Sequence, residues 1–170
     1  KVGAILFTDN IELFIPPNKG KKHILRIIRE LLEFKPKSAK TSIDSSLRFL
    51  LSIIQKKAIV FVLSDFIDDN YDKSLKLAVK KYDLTGIRIF DQMETIIPKL
   101  GFVPMIDAET NELVWVDTLS KQIRENYSSN YNLSIKKFET LFNKNGAGVI
   151  NCKVDESYVK KLLGYFKQRA

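Results

Sequence analysis

KAIVFVLSDFIDD, Lys57 to Asp69, is the stretch on which the reading of this sequence turns. Ala58 to Leu63 are apolar without alternation and rich in β-branched Ile and Val, the pattern of a strand buried on both faces in a helix-covered parallel sheet. The run breaks at Ser64-Asp65, which puts a hydroxyl and a carboxylate at its C-terminal end, the edge where open α/β sheets bind ligands. Val2–Phe7 closes in the same way on Thr8-Asp9, and Ile87–Phe90 closes on Asp91. Three aspartates on one edge suit a hard cation, although Asp at a strand end is also ordinary turn and cap chemistry.

The other elements follow from this strand in both directions. Val2–Thr8 and Ile11–Ile15 read as a hairpin at the sheet edge, with Asp9-Asn10 as the turn and Pro16-Pro17 as the stop. Lys21–Phe34 has helical apolar spacing, with Arg26, Arg29, Glu30 and Glu33 outward. A second helix runs from Thr41 to about Gln55, with Thr41 supplying N-cap chemistry. After the central strand come a helix over Tyr71–Tyr82 and a buried strand at Ile87–Phe90, a βαβ crossover that implies parallel strands. Phe102–Ile106 and Glu112–Val116 flank the polar stretch Asp107–Asn111 and read as an appended hairpin in which Trp115 packs. Leu119–Lys144 holds one long helix or two, stopped at Asn145-Gly146. A strand at Gly148–Val154 and a helix at Tyr158–Gln168 complete the chain, the helix with Val159, Leu162, Leu163 and Phe166 inward. The alternation predicts an α/β fold, a three-layer αβα sandwich with a mostly parallel, Rossmann-like sheet and edge hairpins.

At 170 residues the chain reads as a single domain over 1–170, and a start at Lys1 that passes straight into a strand reads as a fragment of a longer protein. No apolar run approaches the roughly 20 residues of a membrane span, and nothing resembles a signal peptide. The single Cys152 excludes an internal disulfide, and a cytoplasmic location is expected. Lys and Arg number 28 against 20 Asp and Glu, a net charge of +8. That charge is scattered, without a basic run or an interleaved aromatic stripe, so nucleic acid is not the expected partner.

Most enzyme chemistry is missing from the sequence. It has no G-x-G-x-x-G, Walker A or G-x-S-x-G segment. Its one histidine, His23, opens an amphipathic helix, and Cys152 lies in an apolar strand where it reads as a core residue. Without Cys/His clusters zinc is not expected. What remains is an oxygen-ligand cation site drawn from Asp9, Thr41, Ser64, Asp65, Asp68, Asp69 and Asp91.

Several stretches together, KVGAILFTD, IPPNKGKKHILRIIRELL, KTSIDSSLRFL, KKAIVFVLSDFIDD, DAETNELVWVDT and YVKKLLGYFKQR, resemble one family. It is the von Willebrand factor A-like part of the domain of unknown function 58 family, in a bacterial form. The resemblance covers nearly all of the chain in order. It implies a von Willebrand factor A-like fold, an association with MoxR-type AAA+ ATPases, and a metal-ion-dependent adhesion site for Mg²⁺. Of that site, Thr41 matches the threonine and Asp65 the aspartate, whereas the D-x-S-x-S loop has no match. By the same resemblance the chain is truncated at the N-terminus. It lacks the strand that belongs between Val2–Thr8 and Ala58–Ser64.

These readings lead to an expected non-catalytic protein-interaction module, an adaptor for a MoxR-type ATPase. Mg²⁺ is expected in the full-length protein and not in this fragment. The alternative is a Mg²⁺-dependent nuclease or phosphatase with Asp9, Asp65 and Asp91 as ligands. The vacant strand position also leads to an expectation of self-association.

Overall fold

From its N-terminus the chain forms β1 (Val2–Phe7), β2 (Ile11–Asn18), α1 (Lys21–Glu33), α2 (Ile43–Ile53), β3 (Ile59–Ser64), α3 (Asp72–Lys81) and β4 (Asp83–Phe90). A short 3-10 turn at Gln92–Thr95 leads to β5 (Phe102–Ile106) and β6 (Leu113–Asp117), then α4 (Lys121–Asn145), β7 (Gly148–Lys153) and α5 (Tyr158–Arg169). This computed structural model describes residues 1–106 and 112–169. The polar stretch Asp107–Asn111, read above as the tip of a hairpin, lies outside the described residues.

The fold is α/β, and its centre is a parallel sheet in the order β3-β4-β7. β4 lies in the middle, and Leu84, Thr85, Ile87 and Arg88 along it are buried. On one face Ile43 and Leu47 of α2, Leu75 and Ala78 of α3, and Phe138 and Phe142 of α4 close over Val62 and Leu84 in the main core. On the other face α5 sets Leu162 and Tyr165 against Ile87, Ile150 and Cys152. α4 comes close to the sheet because Gly86 lies beneath it: a Cβ there would stand 2.6 Å from Phe142 Cε1 and 2.8 Å from Phe138 Cε2. α4 is one helix, ended by Gly146 in the left-handed conformation (φ 79°).

Three expectations change. The run Ile59–Ser64 is not covered on both faces. β3 is a border strand paired to β4 alone; Val62 is buried, but Ile59, Phe61 and Leu63 are 67%, 40% and 55% exposed. The hairpins are not joined to the parallel sheet, since β1-β2 and β5-β6 each form their own two-stranded sheet. β1 and β3 therefore do not close directly on each other. Finally, β2 runs through Pro16-Pro17 to Asn18. The register shifts between Val2↔Asn18 and Ala4↔Ile15, so the prolines sit in a bulge that asks no donor of them.

Four side chains also differ from expectation. Trp115 is 64% exposed instead of packed. In α5 Leu162 faces the core, while Val159, Leu163 and Phe166 are 48%, 56% and 44% exposed.

Candidate functional site

Three loops meet beside the C-terminal end of β3. The first ends β1, where the Thr8 carbonyl accepts the Ser42 N–H at 3.0 Å. The second precedes α2. Ser42, not Thr41, is the N-cap there, because its hydroxyl accepts the Ser45 N–H at 3.2 Å. Thr41 stands exposed one residue earlier. The third is the acidic loop after β3, whose Asp68 Oδ2 accepts the Ile43 N–H at 2.7 Å. A carboxylate at a helix N-terminus satisfies an orphan donor and the positive end of the dipole together. Asp68 thus holds the Thr41 turn against the Asp65 loop.

The acidic loop has a defined shape. Asp65 Oδ1 accepts the Ser64 hydroxyl at 3.2 Å and the Ile67 N–H at 3.1 Å. Phe66 and Asn70 both have positive φ, 59° and 69°, an unfavourable conformation for a bulky side chain. Phe66 is held there by burial: its ring stacks on Phe138 at 4.0 Å and meets Phe142 edge-on at 5.2 Å. Asp69 pairs with Lys137 of α4. Beneath the loop, burial raises the Tyr71 phenol well above its ordinary range, and the charges of Asp68 and Asp69 push it the same way.

Asp9 lies in the β1–β2 turn, where the Ser38 hydroxyl beside it holds its carboxyl below the usual carboxylate range. Asp91 Oδ1 accepts the Met93 N–H at 2.9 Å and caps the 3-10 turn. His23 Nε2 is 2.8 Å from the Val2 carbonyl and ties α1 to β1. Among the described residues no three His, Cys, Asp or Glu side chains form a group that could hold a metal ion.

A buried cation escaped the sequence reading. Arg88 is 3% exposed on β4, hydrogen-bonded to the Tyr131 hydroxyl and, at 3.5 Å, to Asn151 Oδ1. Its guanidinium lies 4.1 Å from the centre of the Phe90 ring. Burial raises the Tyr131 phenol, against the opposing charge of Arg88. The one available signal was an arginine inside the apolar run Ile87–Phe90.

Residues 1–136 match the family described as "Protein of unknown function DUF58". The chain belongs to that family. No curated protein matches this DUF58 chain. Its fold is similar to a crystal structure of an aerotolerance-related membrane protein from Bacteroides fragilis NCTC 9343 with multiple mutations to serines. The TM-score is 0.50 at 11% identity, over 98% of this chain and 78% of that one. Among the described residues of the DUF58 chain no helix is long and apolar enough to cross a membrane.

Proposed function

We propose that this DUF58 chain is a non-catalytic protein-interaction module of the von Willebrand factor A-like type, acting in the cytoplasm as an adaptor for a MoxR-type AAA+ ATPase or its client. The observation that carries the reading is the Asp68–Ile43 hydrogen bond, which brings the Thr41 turn and the Asp65 loop to one edge of the parallel sheet. Those are the two positions at which the sequence resembles the family's metal-ion-dependent adhesion site. In the full-length protein Thr41 and Asp65 would contribute oxygen ligands to a Mg²⁺ site, and such an ion would offer a docking point for a carboxylate of the partner. The rest of the edge fits a binding role. Asp65, Asp68 and Asp91 each accept backbone N–H groups, and the only histidine is engaged at the Val2 carbonyl.

Full-length protein immobilised in Mg²⁺ is expected to retain an AAA+ ATPase from a lysate of its native host, with retention reduced by Asp65→Ala. Labelled single- and double-stranded nucleic acid incubated with Mg²⁺ or Mn²⁺ tests the opposite reading. Cleavage abolished by Asp65→Ala would overturn the adaptor.

A further inference from the structure

The β5-β6 hairpin has one blocked edge and one open edge. Its register pairs Phe102 with Asp117, Pro104 with Trp115 and Ile106 with Leu113, with Val103–Val116 and Met105–Val114 between them. At its base the Gly101 carbonyl accepts the Thr118 N–H at 2.9 Å. Hydrogen-bonded and non-hydrogen-bonded pairs alternate along an antiparallel ladder. Counting from Gly101–Thr118 makes Val103–Val116 and Met105–Val114 the bonded pairs. Pro104, which has no N–H to give, accordingly falls on a non-bonded pair.

The backbone groups of the non-bonded pairs point away from the partner strand. On β5 that outward row is interrupted at its centre by Pro104, a residue that blunts a sheet edge. On β6 the outward N–H and C=O groups belong to Leu113, Trp115 and Asp117. No other strand pairs with β6 among the described residues, and Leu113, Val114 and Trp115 are 58%, 50% and 64% exposed. The same register sets Phe102, Pro104, Ile106, Leu113 and Trp115 on one exposed face, while Val103, Met105 and Val116 on the other are half-buried. The hairpin is held firmly. The buried Thr118 hydroxyl donates to the Gly101 carbonyl at 2.7 Å and accepts the Leu100 N–H at 2.8 Å, and Arg124 of α4 donates to the Thr118 carbonyl at 2.6 Å.

We propose that the outer edge of β6 is a strand-addition site for a partner protein. Its occupant is an extended segment in which apolar and basic residues alternate. The backbone of that segment pairs with Leu113 and Trp115, and its apolar residues lie beside their side chains. Main-chain bonds supply affinity in this mode and alternate side chains supply specificity. Charge selects the occupant. Between Lys99 and Lys121 the charged residues are Asp107, Glu109, Glu112 and Asp117, all acidic, in a chain of net charge +8. A basic strand complements that stretch, whereas a second copy of β6 would set two acidic hairpins against each other. The site shares no residue with the Thr41–Asp65 edge.

Trp115 is the only tryptophan, so its fluorescence reads this edge directly. The probe is a synthetic octapeptide of alternating Val and Lys. Titrated into the 170-residue chain, it is expected to shift the emission to shorter wavelength and to saturate below about 1 mM. The fully N-methylated peptide has no ladder donors and should give no shift. A peptide of alternating Val and Glu should bind at least about tenfold more weakly. Leu113→Pro, which removes an outward donor as Pro104 does on β5, should abolish the shift with the circular dichroism spectrum unchanged. Asp65→Ala should bind the peptide as the parent does. No shift up to about 1 mM, a shift retained by the N-methylated peptide, or equal binding of the Val/Glu peptide would overturn the site. A dimer in light scattering that Leu113→Pro dissolves would give the edge to a second copy and overturn it as well.

Discussion

The Asp68 carboxylate accepts the Ile43 N–H at 2.7 Å, a contact between residues 25 apart that joins the loop after β3 to the first turn of α2. Removing it leaves a helix N-terminus short of a partner and of a favourable charge. Asp68→Ala should cost about 1–2 kcal/mol. Asp65→Ala loses only exposed contacts within its own loop and should cost about 0.5 kcal/mol. Urea unfolding checks both, as a lower midpoint with an unchanged slope.

Gly86 faces Phe138 and Phe142, which are 1% and 0% exposed. Neither ring has space to withdraw from an added Cβ at 2.6–2.8 Å. Gly86→Ala should destabilise the chain by about 1–3 kcal/mol through overpacking. Thermal unfolding followed by circular dichroism would show this, and a variant as stable as the parent would mean that α4 shifts freely on the sheet.

Tyr71 sets an alkaline limit. Its phenol is raised in the folded chain by burial and by Asp68 and Asp69, whereas an unfolded tyrosine ionises near pH 10. The stabilisation is thus complete below about pH 10 and is lost as the pH rises beyond it, because the unfolded state releases its proton first. Tyr71→Phe removes that proton, so the variant should lose less stability than the parent between neutral pH and about pH 11. Parallel losses in the two proteins would contradict the assignment.

Trp115 stands 64% exposed on β6, and its truncation should change stability by less than about 1 kcal/mol. If the β5-β6 hairpin meets a partner, Trp115→Ala in the full-length protein should lower partner retention with the melting temperature nearly unchanged. Unchanged affinity with a large drop in melting temperature would place the indole in a structural role.

Metal binding by this chain alone should be weak. Titration calorimetry with Mg²⁺ and Mn²⁺ is expected to give no saturable heat at millimolar concentration, since Thr41 and Asp65 leave most of the shell to water. Tight binding that disappears in Asp65→Ala would show the two residues to be sufficient.

The sequence by itself determined the elements and their class. Helical spacing in 21–34 and 43–54, the apolar runs at 58–63 and 87–90, and Asn145-Gly146 as a stop all report local backbone preferences and one-sided burial, which depend on near neighbours in the chain. It also determined the burial of Cys152 and brought Thr41 and Asp65 forward as site residues. Only the tertiary structure decided what stands next to each element. An apolar run such as Ile59–Leu63 reads the same whether or not a strand lies beside it, so its border position and the exposure of Phe61 and Leu63 were not legible. Asp68 and Asp65 are both acids in one loop. A contact with Ile43, 25 residues away, made one the tie to α2 and left the other at the exposed end of the sheet. Periodicity reports which face of an element is apolar, but the partner that covers that face is set by packing across the fold.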